Sequence, residues 1–240
     1  MANAIPNCRS YDPAFGYELA VIIHDGLVRM YKNQEDCFYY ITVMNENYKH
    51  PAMPEGVEEG IIKGMYLYKS GDKNNHHQVQ LLGSGTILRE AIKASDILES
   101  EYGIGADVWS VTSFNELYRD GIEVNRWNML HPTDNKKVAY VTECLSEDHG
   151  PVIAVSDYVK LYADQIRSLI TTNYRVLGTD GFGRSDTREK LREYFEVDYR
   201  YIIIAALIEL ATVGEIDNTQ VDEAIKKYDI DSESINPIKR

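Results

Sequence analysis

The sequence predicts an α/β fold, a three-layer α/β/α arrangement around a mainly parallel sheet. Two observations carry that expectation. From Val79 to Leu177, short apolar runs alternate with longer segments whose apolar residues recur at helical spacing. The first of these runs also turns through Gly83-Ser84-Gly85-Thr86 straight into a helical stretch, as a strand does when it feeds a crossover.

Asp12-Pro13 reads as a helix start, because Asp can cap and Pro at the first helical position gives up no needed hydrogen bond. Leu19, Ile22, Ile23, Leu27 and Met30 then follow at helical spacing, predicting an amphipathic helix to about Tyr31. Phe38 to Met44, rich in aromatic and β-branched residues, reads as a strand. Pro51 to Gly60 is a loop, and Lys63 to Tyr68 an edge strand; Ser70 to Gln78 is a polar turn. Strands are expected at Val79–Leu82, Ala106–Val111, Val152–Val155 and Tyr174–Leu177. Helices are expected after the Gly83–Thr86 turn to about Tyr102, from Phe114, over Val138–Leu145 and Val159–Ile170, from about Asp186 to Phe195, and over Tyr199–Ala211. A last helix opens at Asn218, a plausible cap, and runs through Tyr228.

The 240 residues suffice for one good core, or one domain with part of another. With 44% hydrophobic and 26% charged residues, wholesale disorder is excluded. A net charge of −13 argues against nucleic-acid and anionic-membrane partners, which are themselves negative. Cys8, Cys37 and Cys144 form no C-x-x-C pair and read as free thiols of a reducing compartment. No apolar run reaches the ~18–20 residues that span a bilayer, and the start lacks a signal pattern, so a cytoplasmic location is expected. The eighteen tyrosines against two tryptophans predict amphipathic rings at the edges of the core, with a wet subunit interface as the alternative.

Three motifs bear on chemistry. Gly83-Ser84-Gly85-Thr86 invites a phosphate-loop reading, but it lacks the third glycine of a dinucleotide fingerprint and the Lys-Ser/Thr of a P-loop, so tight turning accounts for it. In Gly178 to Asp186 two glycines bracket Phe182. There Asp186 with Glu189 has capping-box spacing, and Arg184 offers the alternative of an anion or subunit contact. The densest set is Asn45-Glu46-Asn47-Tyr48-Lys49-His50 at the carboxyl end of the Phe38–Met44 strand, where ligands of α/β sheets gather. A carboxylate, two amides, a phenol, an ammonium and an imidazole can orient a small keto acid and exchange protons; equally, they can form a polar loop. His76 and His77 sit in the polar turn with no third metal ligand suggested nearby, and His149 lies in an acidic loop.

Asn45-Glu46-Asn47-Tyr48, with Pro51-Ala52-Met53-Pro54-Glu55-Gly56 and Leu177-Gly178-Thr179-Asp180-Gly181-Phe182-Gly183-Arg184-Ser185-Asp186, resembles the C-terminal part of the homodimeric bacterial pyruvate dehydrogenase first component, of the transketolase superfamily. The resemblance runs from Pro6 to Pro237 and includes Ser10-Tyr11-Asp12-Pro13-Ala14, Val79-Gln80-Leu81-Leu82-Gly83-Ser84-Gly85 and Ser113-Phe114-Asn115-Glu116-Leu117. It implies a transketolase C-terminal-like domain over residues 63–240, preceded over 1–62 by the tail of a pyrimidine-binding thiamine-diphosphate domain. It also implies catalytic roles for Glu46 and His50 and substrate contacts from Asn45, Asn47, Tyr48 and Lys49. In the family a His directly follows the Asn-Glu-Asn-Tyr run; here Lys49 stands there and the imidazole arrives as His50.

The activity so implied is decarboxylation of pyruvate on thiamine diphosphate and Mg2+, with reductive acetylation of the lipoyl group of a dihydrolipoyl acetyltransferase partner. The family's Gly-Asp-Gly motif does not occur in this sequence. No cofactor-binding or metal residue is therefore assigned within the chain, and tight thiamine-diphosphate binding is expected only with an N-terminal half, in a homodimer. A non-catalytic assembly domain and one subunit of a split enzyme are the alternatives.

Overall fold

The computed structural model describes residues 4–145 and 150–239; the expectation for His149 lies outside the described residues. Strand β1 (Cys8–Tyr11) leads to helix α1 (Gly16–Gly26), which continues as a wider π turn over Leu27–Lys32. Strand β2 (Phe38–Ile41) returns parallel to β1 in a two-stranded sheet, Cys8 opposite Phe38 and Tyr11 opposite Ile41. After the 42–57 loop come α2 (Glu58–Lys63) and β3 (Met65–Lys69), then β4 (His77–Gly83), α3 (Leu88–Tyr102), β5 (Ile104–Val111), α4 (Phe114–Leu130) and α5 (Tyr140–Cys144). The chain continues through β6 (Val152–Val155), α6 (Lys160–Asp164), β7 (Tyr174–Leu177), α7 (Arg188–Tyr194), α8 (Tyr199–Thr212) and α9 (Asn218–Lys227).

The main sheet has the order β3-β5-β4-β6-β7. Four strands are parallel, with Leu81 of β4 opposite Val108 of β5 and Ile153 of β6. The edge strand β3 runs antiparallel to β5. Period-2 alternation sends side chains to two cores. Val79 and Leu81 of β4 meet Leu88, Ala91, Ile202 and Leu210 of α3 and α8 on one face. Leu82, Trp109 and Ala154 meet Phe114, Leu117, Val141 and Ala163 of α4, α5 and α6 on the other. The three layers predicted from the sequence are present. A third small core of Tyr11, Ile22, Ile61 and Tyr66 seats the N-terminal helix on the edge of the main domain.

Several local expectations are corrected. The first helix begins at Gly16 and not at Asp12-Pro13, because Asp12 is used elsewhere: its buried carboxylate accepts from Ser84 Oγ at 2.7 Å and from the Thr42 hydroxyl. The start of α1 is capped instead by Glu18, which accepts from the Phe15 N–H at 3.0 Å and the Ala14 N–H at 2.5 Å. Ile22 is buried, whereas Ile23, Leu27 and Met30 of the predicted apolar face are exposed. The Val159–Ile170 helix is broken into α6 and a single tight turn, Arg167–Leu169. At α7 the cap is the Thr187 hydroxyl, accepting from the Lys190 N–H, while Asp186 bonds only the Thr187 N–H. At α9 it is Asp217, not Asn218, that accepts from the Thr219 N–H at 2.8 Å.

Candidate functional site

The predicted Phe38–Met44 strand ends at Ile41, and the 45–50 loop begins four residues on. Glu46 turns away from β2 and enters an arginine cluster. Its Oε1 accepts from Arg89 Nη1 at 2.6 Å and its Oε2 from Arg192 Nη2 at 2.5 Å, with Arg188 Nε at 3.7 Å. Arg89 comes from the first turn of α3; Arg188 and Arg192 lie one turn apart on α7. The side chains of Glu46 and Arg192 are only 15% and 11% exposed. Burial alone would raise the Glu46 carboxyl, but hydrogen bonds and charge from Arg192 and Arg89 outweigh it and hold the group below the usual carboxylate range. Glu46 is therefore an ionised clamp between the loop and the main domain.

His50 points elsewhere. Its Nδ1 accepts the Gly16 N–H at 2.9 Å, so the imidazole completes the capping of α1, and in the neutral ring the proton sits on Nε2. Tyr48 lies between the two regions. Its ring stacks on His50 with centroids 4.8 Å apart and carries the Arg89 guanidinium at 4.6 Å, while its hydroxyl donates to the Ala14 carbonyl. Asn45 accepts from Arg188 Nη2 at 2.6 Å. Asn47 and Lys49 are exposed, and Lys49 lines a shallow cleft with Phe15, Tyr68 and Lys93. The structure thus keeps Asn45 to His50 on one loop but sends Glu46 to the arginines and His50 to the start of α1.

The Gly83–Thr86 turn is occupied from within. Gly85 sits at φ +54°, and a Cβ there would come within 2.9 Å of the Asp12 carboxylate. The Ser84 hydroxyl donates to that carboxylate, and the Gly85 N–H donates to the Asp12 carbonyl at 3.2 Å. Where a phosphate loop would hold an anion, this chain places its own carboxylate. Burial pushes the Asp12 carboxyl up, against the pull of the Thr42 and Ser84 hydrogen bonds. His77 opens β4, and its Nδ1 lies 3.0 Å from Glu215 Oε2. Among the described residues no group of three or more His, Cys, Asp or Glu side chains could hold a metal ion.

The Gly178–Asp186 run divides in two. Its first half is architectural: a Cβ on Gly178 would stand 2.5 Å from the Tyr158 carbonyl, Thr179 N donates to that carbonyl at 2.8 Å, and Asp180 accepts from Lys160 N at 3.0 Å. Its second half borders a cavity of about 330 Å3, together with Glu46, Asp157, Arg188 and Arg192. Asp157 follows β6, and burial raises its carboxyl although Arg192 opposes this. Sequence reading missed Arg89, Arg192 and Asp157. They sit in ordinary charged helices and a loop, and only their meeting across more than a hundred residues of sequence gives them a shared role.

Comparison with known proteins agrees with the resemblance read from the sequence. Residues 64–198 match the family model of the transketolase-like TK C-terminal domain, and residues 1–51 match that of the pyruvate dehydrogenase E1 component middle domain. The chain is 60% identical over 239 residues to a pyruvate dehydrogenase E1 component of Pseudomonas aeruginosa, covering 99% of this chain and 27% of that protein. It is 56% identical to that of Escherichia coli K12, covering 97% and 26%. The chain spans about a quarter of the length of these curated relatives. Among solved structures, a transketolase from Leishmania mexicana superposes with a TM-score of 0.60 at 17% identity, over 88% of this chain and 26% of that one. A split-gene transketolase, in an inactive β4 tetramer, superposes with a TM-score of 0.56 at 15% identity, over 88% and 60%. These structural likenesses concern the fold. With its α/β/α sheet and a family match over more than half its length, the chain belongs to the transketolase-like C-terminal domain family.

Proposed function

We propose that the chain serves as the C-terminal part of a pyruvate dehydrogenase first component, dividing near residue 62 into the tail of a pyrimidine-binding domain and a transketolase C-terminal-like domain. The observation that carries this reading is identity of 52–60% along nearly the whole chain to proteins of that name. In the complete homodimeric enzyme, thiamine diphosphate with Mg2+ supplies the electron sink for decarboxylating pyruvate. The acetyl group then passes to a lipoyl-bearing dihydrolipoyl acetyltransferase.

The residues of this chain do not fit a metal-bound diphosphate. They include no Gly-Asp-Gly, and no metal-ligand cluster is found among the described residues. We assign that seat to the N-terminal half. The contribution of this chain is the 45–50 loop, set toward substrate. His50, with Nδ1 engaged by the Gly16 N–H, has Nε2–H left to donate a hydrogen bond to charge that develops on substrate. Exposed Lys49 offers a point charge to a carboxylate, with Asn47 and Tyr48 beside it. Glu46, held ionised by three guanidiniums, and Asn45, bonded to Arg188, fix the loop so that His50 and Lys49 are presented in one geometry.

In the full-length enzyme, His50→Ala is expected to lower kcat by about 10²–10³-fold, the usual cost of one positioned hydrogen-bond donor to developing charge. Glu46→Gln should lower turnover less and leave the fold intact. If both variants keep near-normal turnover and pyruvate KM, the loop is scaffolding and the assignment fails. Calorimetry with thiamine diphosphate and Mg2+ should give binding when this chain is mixed with the upstream half and none detectable for the chain alone. Tight binding to the chain alone would overturn the placement of the cofactor seat.

A further inference from the structure

The cavity beside Glu46 lies where α/β sheets bind ligands. The chain leaves β4 for β5 on one side, and β6 then joins β4 on the other. The helix that follows β4 packs on one face of the sheet, and the helix that follows β6 packs on the opposite face. The connections therefore diverge above the carboxyl ends of β4 and β6, opening a crevice at the switch point of the topology. Thr86, just after β4, Asp157, just after β6, and Thr179, just after β7, all line the cavity.

Its charge is opposite to that of the molecule. The chain carries a net −13, yet the guanidiniums of Arg184, Arg188 and Arg192 line this cavity with the carboxylates of Glu46 and Asp157, and Arg89 and Glu90 are paired to its members. Arg192 is shared between Glu46 and Glu90, the latter at 3.1 Å, and Arg89 is spent on Glu46. Arg188 reaches Glu46 only at 3.7 Å and is half exposed. Arg184 has no carboxylate partner among the described residues; it donates to the Tyr194 hydroxyl at 3.2 Å and lies over that ring. Of the charged side chains that line the cavity, three guanidiniums stand against the carboxylates of Glu46 and Asp157, a surplus of one, and Arg184 and Arg188 are its exposed members. Beside Arg184, Gly183 also lines the cavity, and a Cβ there would meet open space.

We propose that this switch-point cavity binds a phosphoryl group, held by the Arg184 and Arg188 forks with the Thr86 hydroxyl as a neutral donor. Guanidinium forks match tetrahedral phosphoryl oxygens in pairs, a geometry that favours a phosphoryl group over a planar monocarboxylate. At about 330 Å3 the cavity has room for the phosphoryl group and a short organic tail. The proposal stands apart from the catalytic reading of the 45–50 loop, since it is read out as anion binding by this chain without turnover.

The test is titration of the 240-residue chain with inorganic phosphate and with glycerol phosphate, followed by calorimetry and thermal melting, against sodium chloride at matched ionic strength and against acetate. Saturable binding of the phosphoryl probes is expected, at least tenfold tighter than acetate, and weakened at least tenfold in the doubly exposed variant Arg184→Gln with Arg188→Gln. Arg126→Gln, which removes an exposed charge far from the cavity in sequence, should leave the affinity unchanged. Tighter binding of glycerol phosphate than of phosphate identifies an ester as the natural form; equal binding identifies the free anion. No saturable binding, equal binding of acetate, a melting shift reproduced by chloride, or unaltered affinity in the double arginine variant overturns the proposal.

Discussion

Two carboxylates with opposite surroundings set much of the chemistry of this chain. Glu18 is fully buried with no cation among its hydrogen-bond partners; it accepts from the Ala14 and Phe15 amides and from the Tyr66 and Ser110 hydroxyls, both at 2.6 Å. Burial raises its carboxyl, against those hydrogen bonds. Glu46 is held low by arginines. The two must respond to pH with opposite sign. Stability contributed by Glu46 is present above its unfolded value of about 4.3 and is lost as pH falls through the lower folded pKa. For Glu18 the folded state holds its proton longer, so stability declines as pH rises above about 4.3 toward the raised folded pKa. Denaturant melts from pH 3 to 7 should therefore show the destabilisation by Glu46→Gln growing with pH, from near zero to roughly 1–3 kcal/mol. The effect of Glu18→Gln should shift in the opposite direction. Glu18→Ala, which strands four buried donors, should cost about 3 kcal/mol or more at any pH in that range. Parallel pH profiles for the two Gln variants would contradict the assignment.

Among the elements, the capping pattern decides where helices begin. Asp186 and Glu189 have the spacing of a capping box, yet Thr187 supplies the cap to α7. Thr187→Ala should then cost about 1 kcal/mol, and Asp186→Ala distinctly less, in equilibrium unfolding. Because α7 carries Arg188 and Arg192, fraying it should also loosen Glu46 and the 45–50 loop; amide exchange there should rise in Thr187→Ala and not in Asp186→Ala. The tyrosines behave as amphipathic core edges. Tyr11, Tyr140 and Tyr174 bury or half-bury their rings and donate to the carbonyls of Ile62, Met65 and Ala163 at 2.9, 3.0 and 2.8 Å.

For the molecule as a whole, the N-terminal unit is the exposed side. Leu27, Tyr31, Phe38, Tyr40 and Val43 are 58%, 81%, 44%, 57% and 67% exposed, and β2 pairs only with β1 among the described residues. A two-stranded sheet with an open apolar edge is marginal by itself and invites another chain. The isolated chain is expected to form dimers or larger species with rising concentration in light scattering. Tyr40→Lys with Leu27→Lys should shift it toward monomer. A clean monomer across a wide concentration range would count against this.

By itself the sequence determined the layered α/β architecture, because strand and helix periods are local properties of the apolar pattern. It located β6 and β7 to the residue, since Val152–Val155 and Tyr174–Leu177 are short apolar runs between clear breaks. The resemblance in the Asn45–Tyr48 and Leu177–Asp186 runs likewise pointed to the right family. The sequence missed β1, whose Cys8-Arg9-Ser10-Tyr11 run has no strand pattern and is extended by pairing with β2. It also misplaced the first helix, because the use of Asp12 is decided seventy residues away at Ser84. The arginine cluster was illegible for the same reason. Arg89, Arg188 and Arg192 are unremarkable on their own helices, and only the crossovers of the sheet bring them against Glu46. Local pattern fixes what each segment becomes; which charges meet is set by chain paths of a hundred residues, and that information exists only once the core has closed.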